Sequence, residues 1–204
     1  MKTGSWILNK LLGTGYLPGV NTIYGQPASG KTFLCYIAAA EQLKRGKKVL
    51  YIDPGRNFSA ERFKDVHTDL KNLIIARPTS FSNQTAMIKG LQQKYKNTFD
   101  LIIIDSMLSF FRVESTKKNR SVLLALESDQ LSRLGRLGVP VILTTDVYTN
   151  LDTQKDVMVG GDVLKYVSRQ ILHLIKLKKH IKVDVIKPFK KSVVFRIGKN
   201  NIEI

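Results

Sequence analysis

The 204-residue chain is poor in cysteine (one), tryptophan (one), proline (six) and above all acidic side chains, with 16 Asp and Glu against 33 Lys and Arg. A single cysteine, Cys35, allows no internal disulfide and no cysteine-rich zinc site, which fits a reducing compartment. His67, His173 and His180 lack the spacing of a metal site or a catalytic triad, so they receive no chemistry. No run of apolar residues approaches the roughly 18 that a membrane-spanning helix needs. The opening Met1-Lys2-Thr3-Gly4-Ser5-Trp6 contains no apolar signal core. Internal repeats, low-complexity tracts and Gly/Ser/Pro-rich linkers are also missing. These absences exclude membrane-spanning, disulfide-stapled and disordered classes. They leave one cytoplasmic domain over residues 1–204, long enough to bury a sizeable core, with no membrane partner.

What is abundant is positive charge. The formal net charge is +17, and a surplus of that size attracts polyanions. Nucleic acid is the sharper reading, because phosphate neutralisation supplies most sequence-independent affinity. Solubility alone is the plainer one. A third, an anionic membrane surface, lacks a strongly amphipathic basic helix to support it.

Strand-like apolar runs at Asn21–Tyr24, Lys48–Ile52, Leu73–Ala76, Leu101–Ile104 and Val139–Thr144 alternate with helical segments at Lys31–Arg45, Glu61–Leu70, Asn83–Tyr95 and Ser121–Leu137. Such alternation predicts an α/β fold, a mainly parallel twisted sheet flanked by helices. Leu101-Ile102-Ile103-Ile104 reads as a strand buried on both faces. After Tyr166 the texture changes. Gln170–Leu177, Ile181–Ile186 and Ser192–Ile197 are joined by connections too short for parallel crossovers. The spacing predicts a parallel core over 1–166 and an antiparallel basic edge over 167–204. From Lys176 to Lys199 there are nine Lys/Arg and one acid, Asp184. A lysine-rich edge either guards against strand-on-strand aggregation or faces DNA. Lys176, Lys178, Lys179 and Lys182 are the DNA candidates here.

The strongest motif is Gly25-Gln26-Pro27-Ala28-Ser29-Gly30-Lys31-Thr32, which satisfies G-x-x-x-x-G-K-[ST] between a strand and a helix. Glycines let backbone N–H groups crowd around phosphate oxygens, and the helix start adds its positive dipole end. Lys31 should reach the β- and γ-phosphates of ATP, and the Thr32 hydroxyl should bind Mg²⁺. Leu101–Ile104 ends in Asp105, at the carboxyl edge where ligands bind, and Asp105 is the second Mg²⁺ candidate. By itself a strand ending in Asp is also a common turn preference. Cys35, one turn into the helix, reads as a small core residue, and Trp6 as packing.

Thr3-Gly4-Ser5, Leu11-Leu12-Gly13-Thr14-Gly15, the phosphate loop, Tyr51-Ile52-Asp53, Phe58-Ser59-Ala60-Glu61-Arg62, Ile104-Asp105-Ser106 and Val159-Gly160-Gly161 follow one another in a particular order and spacing. In this the chain resembles the RecA/RadA-type recombinases, and most of all the short archaeal RadA paralogues such as the RadB group, over nearly its whole length. The resemblance implies a RecA-like P-loop ATPase core that handles single-stranded DNA or assists a RadA-type recombinase or other repair protein in homologous recombination. It also implies that Arg62 stacks on adenine, for which a surface salt bridge is the alternative. Two loops beyond the carboxyl edge would meet DNA. The first, with Phe110, Arg112, Lys117, Lys118 and Arg120, combines aromatics with positive charge, as single strands require; core packing of Phe110 and Phe111 is the other reading. The second, Tyr148 to Val159, has only Lys155 as a cation. The chain starts almost at the family's core, so filament assembly through a preceding linker is not expected.

Two departures stand out. Members that hydrolyse ATP well carry a glutamate where Gly55 stands, and losing that carboxylate removes an acid–base contribution of about 10²–10⁴-fold. Weak or absent hydrolysis is therefore expected. The rivals are an active DNA-stimulated ATPase with a relocated carboxylate and a nucleotide-switched protein-interaction module that never touches DNA. Second, Asp146 replaces a glutamine thought to sense the γ-phosphate. A carboxylate there is repelled by phosphate unless Mg²⁺ or Lys31 lies between them, or else it merely caps a turn.

Overall fold

The computed structural model describes residues 1–95, 97–114, 120–150 and 154–203. In chain order the elements are α1 (Trp6–Leu12), β1 (Gly19–Gly25), α2 (Lys31–Leu43), β2 (Val49–Ile52), α3 (Ala60–Lys64), β3 (Leu73–Ala76), α4 (Phe81–Gln93), β4 (Leu101–Ile104), α5 (Ser109–Glu114), α6 (Arg120–Gly135), β5 (Pro140–Thr145), β6 (Val147–Asn150), β7 (Lys155–Met158), α7 (Gly161–Val167), β8 (Ser168–Lys176), β9 (Ile181–Lys187), β10 (Lys191–Ile197) and β11 (Ile202–Glu203). Among the described residues nine strands form one sheet in the order β11-β10-β9-β8-β1-β5-β4-β2-β3, and β6 and β7 form a separate hairpin.

Alternation along each central strand feeds two cores. Leu101 and Ile103 of β4 pack with α1 and α2 on one face, whereas Ile102 and Ile104 pack with α4 and α6 on the other. All four are buried, which is why this segment reads as an unbroken apolar run.

The basic extension is antiparallel from β8 to β9, β9 to β10 and β10 to β11. β8 itself, however, runs parallel to β1. The parallel part of the sheet thus reaches one strand beyond the boundary at 166, because the long crossover through β6, β7 and α7 returns the chain in the same direction. Consequently β1 and β8 end at the same carboxyl edge. The turn between β8 and β9 lies there, and the turn between β9 and β10 lies at the opposite edge.

Some local features escape a periodicity reading. α1 is capped by the Ser5 hydroxyl, which accepts from the Leu8 N–H at 3.4 Å, and it buries Ile7, Leu8, Leu11 and Leu12. That stripe leaves Trp6 61% exposed, so the tryptophan is not a packing residue. α3 stops at Lys64 rather than continuing to Leu70; the β-branched Val66 and Thr68 favour helix less than their straight-chain neighbours.

Candidate functional site

The phosphate loop is shaped by backbone before any side chain acts. Ala28 has φ +58° and Gly30 φ +94°, both in the left-handed region. A Cβ on Gly30 would lie 2.4 Å from Ile197 Cδ1 at the end of β10, and one on Gly25 would lie 2.3 Å from the Leu174 carbonyl oxygen of β8. The loop is therefore wedged against the extension, and glycine is required for that approach. α2, starting at Lys31, carries the loop into the first core.

At the carboxyl edge Asp105 is 1% exposed. Its Oδ2 accepts from the Thr32 hydroxyl at 2.7 Å and the Tyr51 hydroxyl at 2.8 Å, and its Oδ1 accepts from the Thr144 hydroxyl. Tyr51 and Thr144 carry no motif signal; β2 and β5 deliver them to the end of β4 because these strands lie beside it. Burial, reinforced by Cys35 and Asp105, pushes the Tyr51 phenol well above its ordinary value, so it stays a hydrogen-bond donor. Thr32 and Asp105 are the hard-oxygen pair that could hold Mg²⁺. The buried Ser29 hydroxyl oxygen has no partner, which suits a loop that grips an oxyanion. The residues present fit a nucleotide's phosphates with a divalent cation.

Lys31 donates to the carbonyls of Gly25 at 2.7 Å and Gln26 at 3.0 Å, and its Nζ lies 3.0 Å from Asp146 Oδ1. Asp146 thus faces the loop lysine rather than turning away. The Gln26 side chain donates to Asp156 on β7 at 2.8 Å, tying the loop to the β6–β7 hairpin.

Beyond β2, a Cβ on Gly55 would approach the Asn57 side chain and Ser109. Asp53 does not stand in for the absent glutamate. Its carboxylate is fully buried and accepts from the N–H groups of Asn57 and Phe58 at 2.7 and 3.2 Å, with Arg77 Nε at 3.3 Å. Glu61 is exposed on α3.

A cavity of about 570 Å³ opens from Ser29–Phe33 toward Arg62, the β8–β9 turn and Arg196. Lys176, Lys178, Lys179 and His180 line it. These lysines, which the sequence suggests for DNA, instead share the cavity of the phosphate loop, because β8 is parallel to β1. Lys182 lies within β9 and pairs with Asp184 at 2.9 Å, so it is not a free cation for DNA. Lys187, Lys190 and Lys191 sit at the other edge of the sheet. The single basic stretch is therefore two patches about 20 Å apart, the length of a seven-residue strand.

In the first expected DNA loop, Phe111 is buried and Phe110 half-buried against the second core. Arg112 belongs to α5 and Arg120 opens α6, while Lys117 and Lys118 lie outside the described residues. The second loop holds the β6–β7 hairpin. His173 stacks on Tyr24 at 4.3 Å with an interplanar angle of 1°. Among the described residues no helix is long and apolar enough to cross a membrane.

A family model described as Rad51 matches residues 1–199. The DNA repair and recombination protein RadB of Thermococcus kodakarensis is 34% identical over 222 aligned positions, covering 100% of this chain and 98% of that protein. Its namesake from Methanobrevibacter smithii is 33% identical over 185 positions, covering 84% and 79%. A solved structure, described as the crystal structure of the RadB recombinase, superposes with a TM-score of 0.81 at 28% identity, covering 99% of this chain and 98% of that one.

Proposed function

The chain belongs to the Rad51 family, and from that premise we propose that it is a nucleotide-binding protein of DNA recombination and repair that binds DNA and hydrolyses ATP weakly or not at all. Its relatives named RadB are DNA repair and recombination proteins, which supports the recombination role. Homologous recombination is the process it modulates, with a RadA-type recombinase or another repair protein as partner and single-stranded DNA as the preferred form.

The backbone N–H groups of the loop, Pro27 excepted, donate to phosphate oxygens, Lys31 neutralises them, and Arg62, on the wall of the same cavity, is the residue assigned to adenine. Thr32 and Asp105 hold Mg²⁺, which when bound neutralises phosphate charge. Tyr51 and Thr144 fix the Asp105 carboxylate by donating to it. The observation that carries the weak-hydrolysis reading is the pairing of Gly55 with a locked Asp53: the usual carboxylate is gone, and the nearest substitute in sequence has both oxygens occupied. Positioning of water then lacks its base. DNA contact rests on the +17 charge and on Phe110, Arg112, Lys117, Lys118 and Arg120 of the first loop.

Phosphate release measured with and without single-stranded DNA tests the first half. The expected rate is close to background, and Gly55→Glu raises it, since the Cβ meets side-chain atoms of Asn57 and Ser109 rather than backbone. Turnover typical of an active recombinase, abolished by Asp146→Asn, would establish the relocated-carboxylate alternative instead. Fluorescence anisotropy over a salt series tests the second half. Affinity should fall linearly with log[salt], and absence of binding at low salt favours the protein-interaction reading.

A further inference from the structure

The loop lysine has a fixed anion of its own. Lys31 and Asp146 are 3.0 Å apart, with side chains only 10% and 22% exposed, so water screens the pair poorly. Asp146 directly follows β5, and β5 lies between β1, which carries the loop, and β4, which carries Asp105. The carboxylate therefore borders the ground between Lys31 and Asp105. A loop lysine of this kind reaches the β- and γ-phosphates. Lys31 stands between Asp146 and the phosphates, so a third phosphate on the same ammonium competes with Asp146 for its charge, whereas the loop's own N–H groups serve the first two.

The other end of the site has the opposite character. The cavity running from Thr32 to the β8–β9 turn is lined by Arg62, Lys176, Lys178, Lys179 and Arg196, and among the described residues no carboxylate lines it. The three lysines have no ion pair with any described residue. Cations line the cavity toward the β8–β9 turn, and the carboxylate of Asp146 engages the loop lysine at the other end.

We propose that the site is selective for a nucleoside diphosphate over the triphosphate, with Asp146 setting the selectivity and the basic β8–β9 turn holding either nucleotide alike. This rests on the reading of the loop as a nucleotide site. It assigns the turn to nucleotide rather than DNA.

The test is a fluorescence titration of the full chain with mant-ADP and with a non-hydrolysable mant-triphosphate, each with and without Mg²⁺. The wild type should bind the diphosphate at least about tenfold more tightly. Asp146→Asn should narrow that gap to less than about threefold, chiefly by strengthening the triphosphate. Lys178→Ala/Lys179→Ala should weaken both nucleotides by about the same factor and keep the gap. Asp146→Gln serves as a second neutral variant if the asparagine protein melts early. Equal or tighter triphosphate binding by the wild type, or a gap that survives both neutral variants, overturns the proposal. Binding of neither nucleotide removes the nucleotide-site reading and this inference with it, an outcome distinct from nucleotides that bind without discrimination.

Discussion

Two cavities of nearly equal size open at the carboxyl edge of the sheet, about 570 Å³ beside the phosphate loop and about 590 Å³ between α5, α6 and the β6–β7 hairpin. The first is lined by five lysines and arginines beyond the loop, with His180 beside them. The second is walled by Leu108, Phe111, Leu124, Tyr148, Met158 and Val163, and Glu127 is its one carboxyl group among the described residues. That carboxyl is 3% exposed, its Oε1 has no partner, and burial pushes it up to about 7. Equal volume with opposite lining gives different responses to the same change of solvent. Lysine and arginine keep their charge across neutral pH, so the cations of the first cavity answer to salt and the buried carboxyl of the second to pH.

The comparison breaks most visibly at Lys31. Lys31→Ala should weaken nucleotide binding about 100-fold, as loss of charge-assisted hydrogen bonds to phosphate implies. Calorimetric titration with ADP decides it; an affinity within a few-fold of wild type would mean that the cationic cavity is not a phosphate site. Next in size is Lys178→Ala/Lys179→Ala, expected to lower nucleotide affinity roughly tenfold. The matching pair at the far edge, Lys190→Ala/Lys191→Ala, should leave it unchanged.

The apolar cavity is sharpened by Glu127→Leu. The folded-state value of Glu127 lies above the ordinary 4.5, so the folded protein binds that proton more tightly than the unfolded chain does. The contribution of this carboxyl to stability is therefore fully present below about pH 4.5 and falls as pH rises to about 7, above which it is lower by about 3 kcal/mol. Leucine should raise the melting temperature by roughly 5–10 °C at pH 8 and by little at pH 4. A melting gain that is the same at both pH values would show that packing, not the buried charge, is responsible. The smallest effect is expected in DNA affinity. Lys190→Ala/Lys191→Ala should reduce the salt slope by at most about 2, read by anisotropy at several ionic strengths.

Much of the central fold is visible in one dimension. Leu101–Ile104 and Leu73–Ala76 are strands at the residues their apolar runs mark. The phosphate loop stands between β1 and α2, as its pattern requires, because glycine spacing and flanking periodicity are local properties. α1 is absent from the helices the sequence predicts, although Ser5, Gly13 and the 7-8-11-12 stripe are its signals, because a seven-residue helix gives little period to count. Other features had no local signature. Tyr51 and Thr144 meet Asp105 only because β2, β4 and β5 are neighbours. Trp6 looked like core by residue type and is exposed because its helix turns the other way.

Composition and spacing were sufficient for the chain's class and its phosphate loop, and the family resemblance for the loss of a carboxylate at Gly55 and the presence of one at Asp146. They could not say which way β8 runs. That direction follows from the crossover before it, and it sends Lys176, Lys178 and Lys179 to the nucleotide cavity while Lys187, Lys190 and Lys191 go to the opposite edge. Residue identity fixes what a side chain can do; only the packing of distant strands fixes what it faces, since charge acts through space and the sequence records order along the chain.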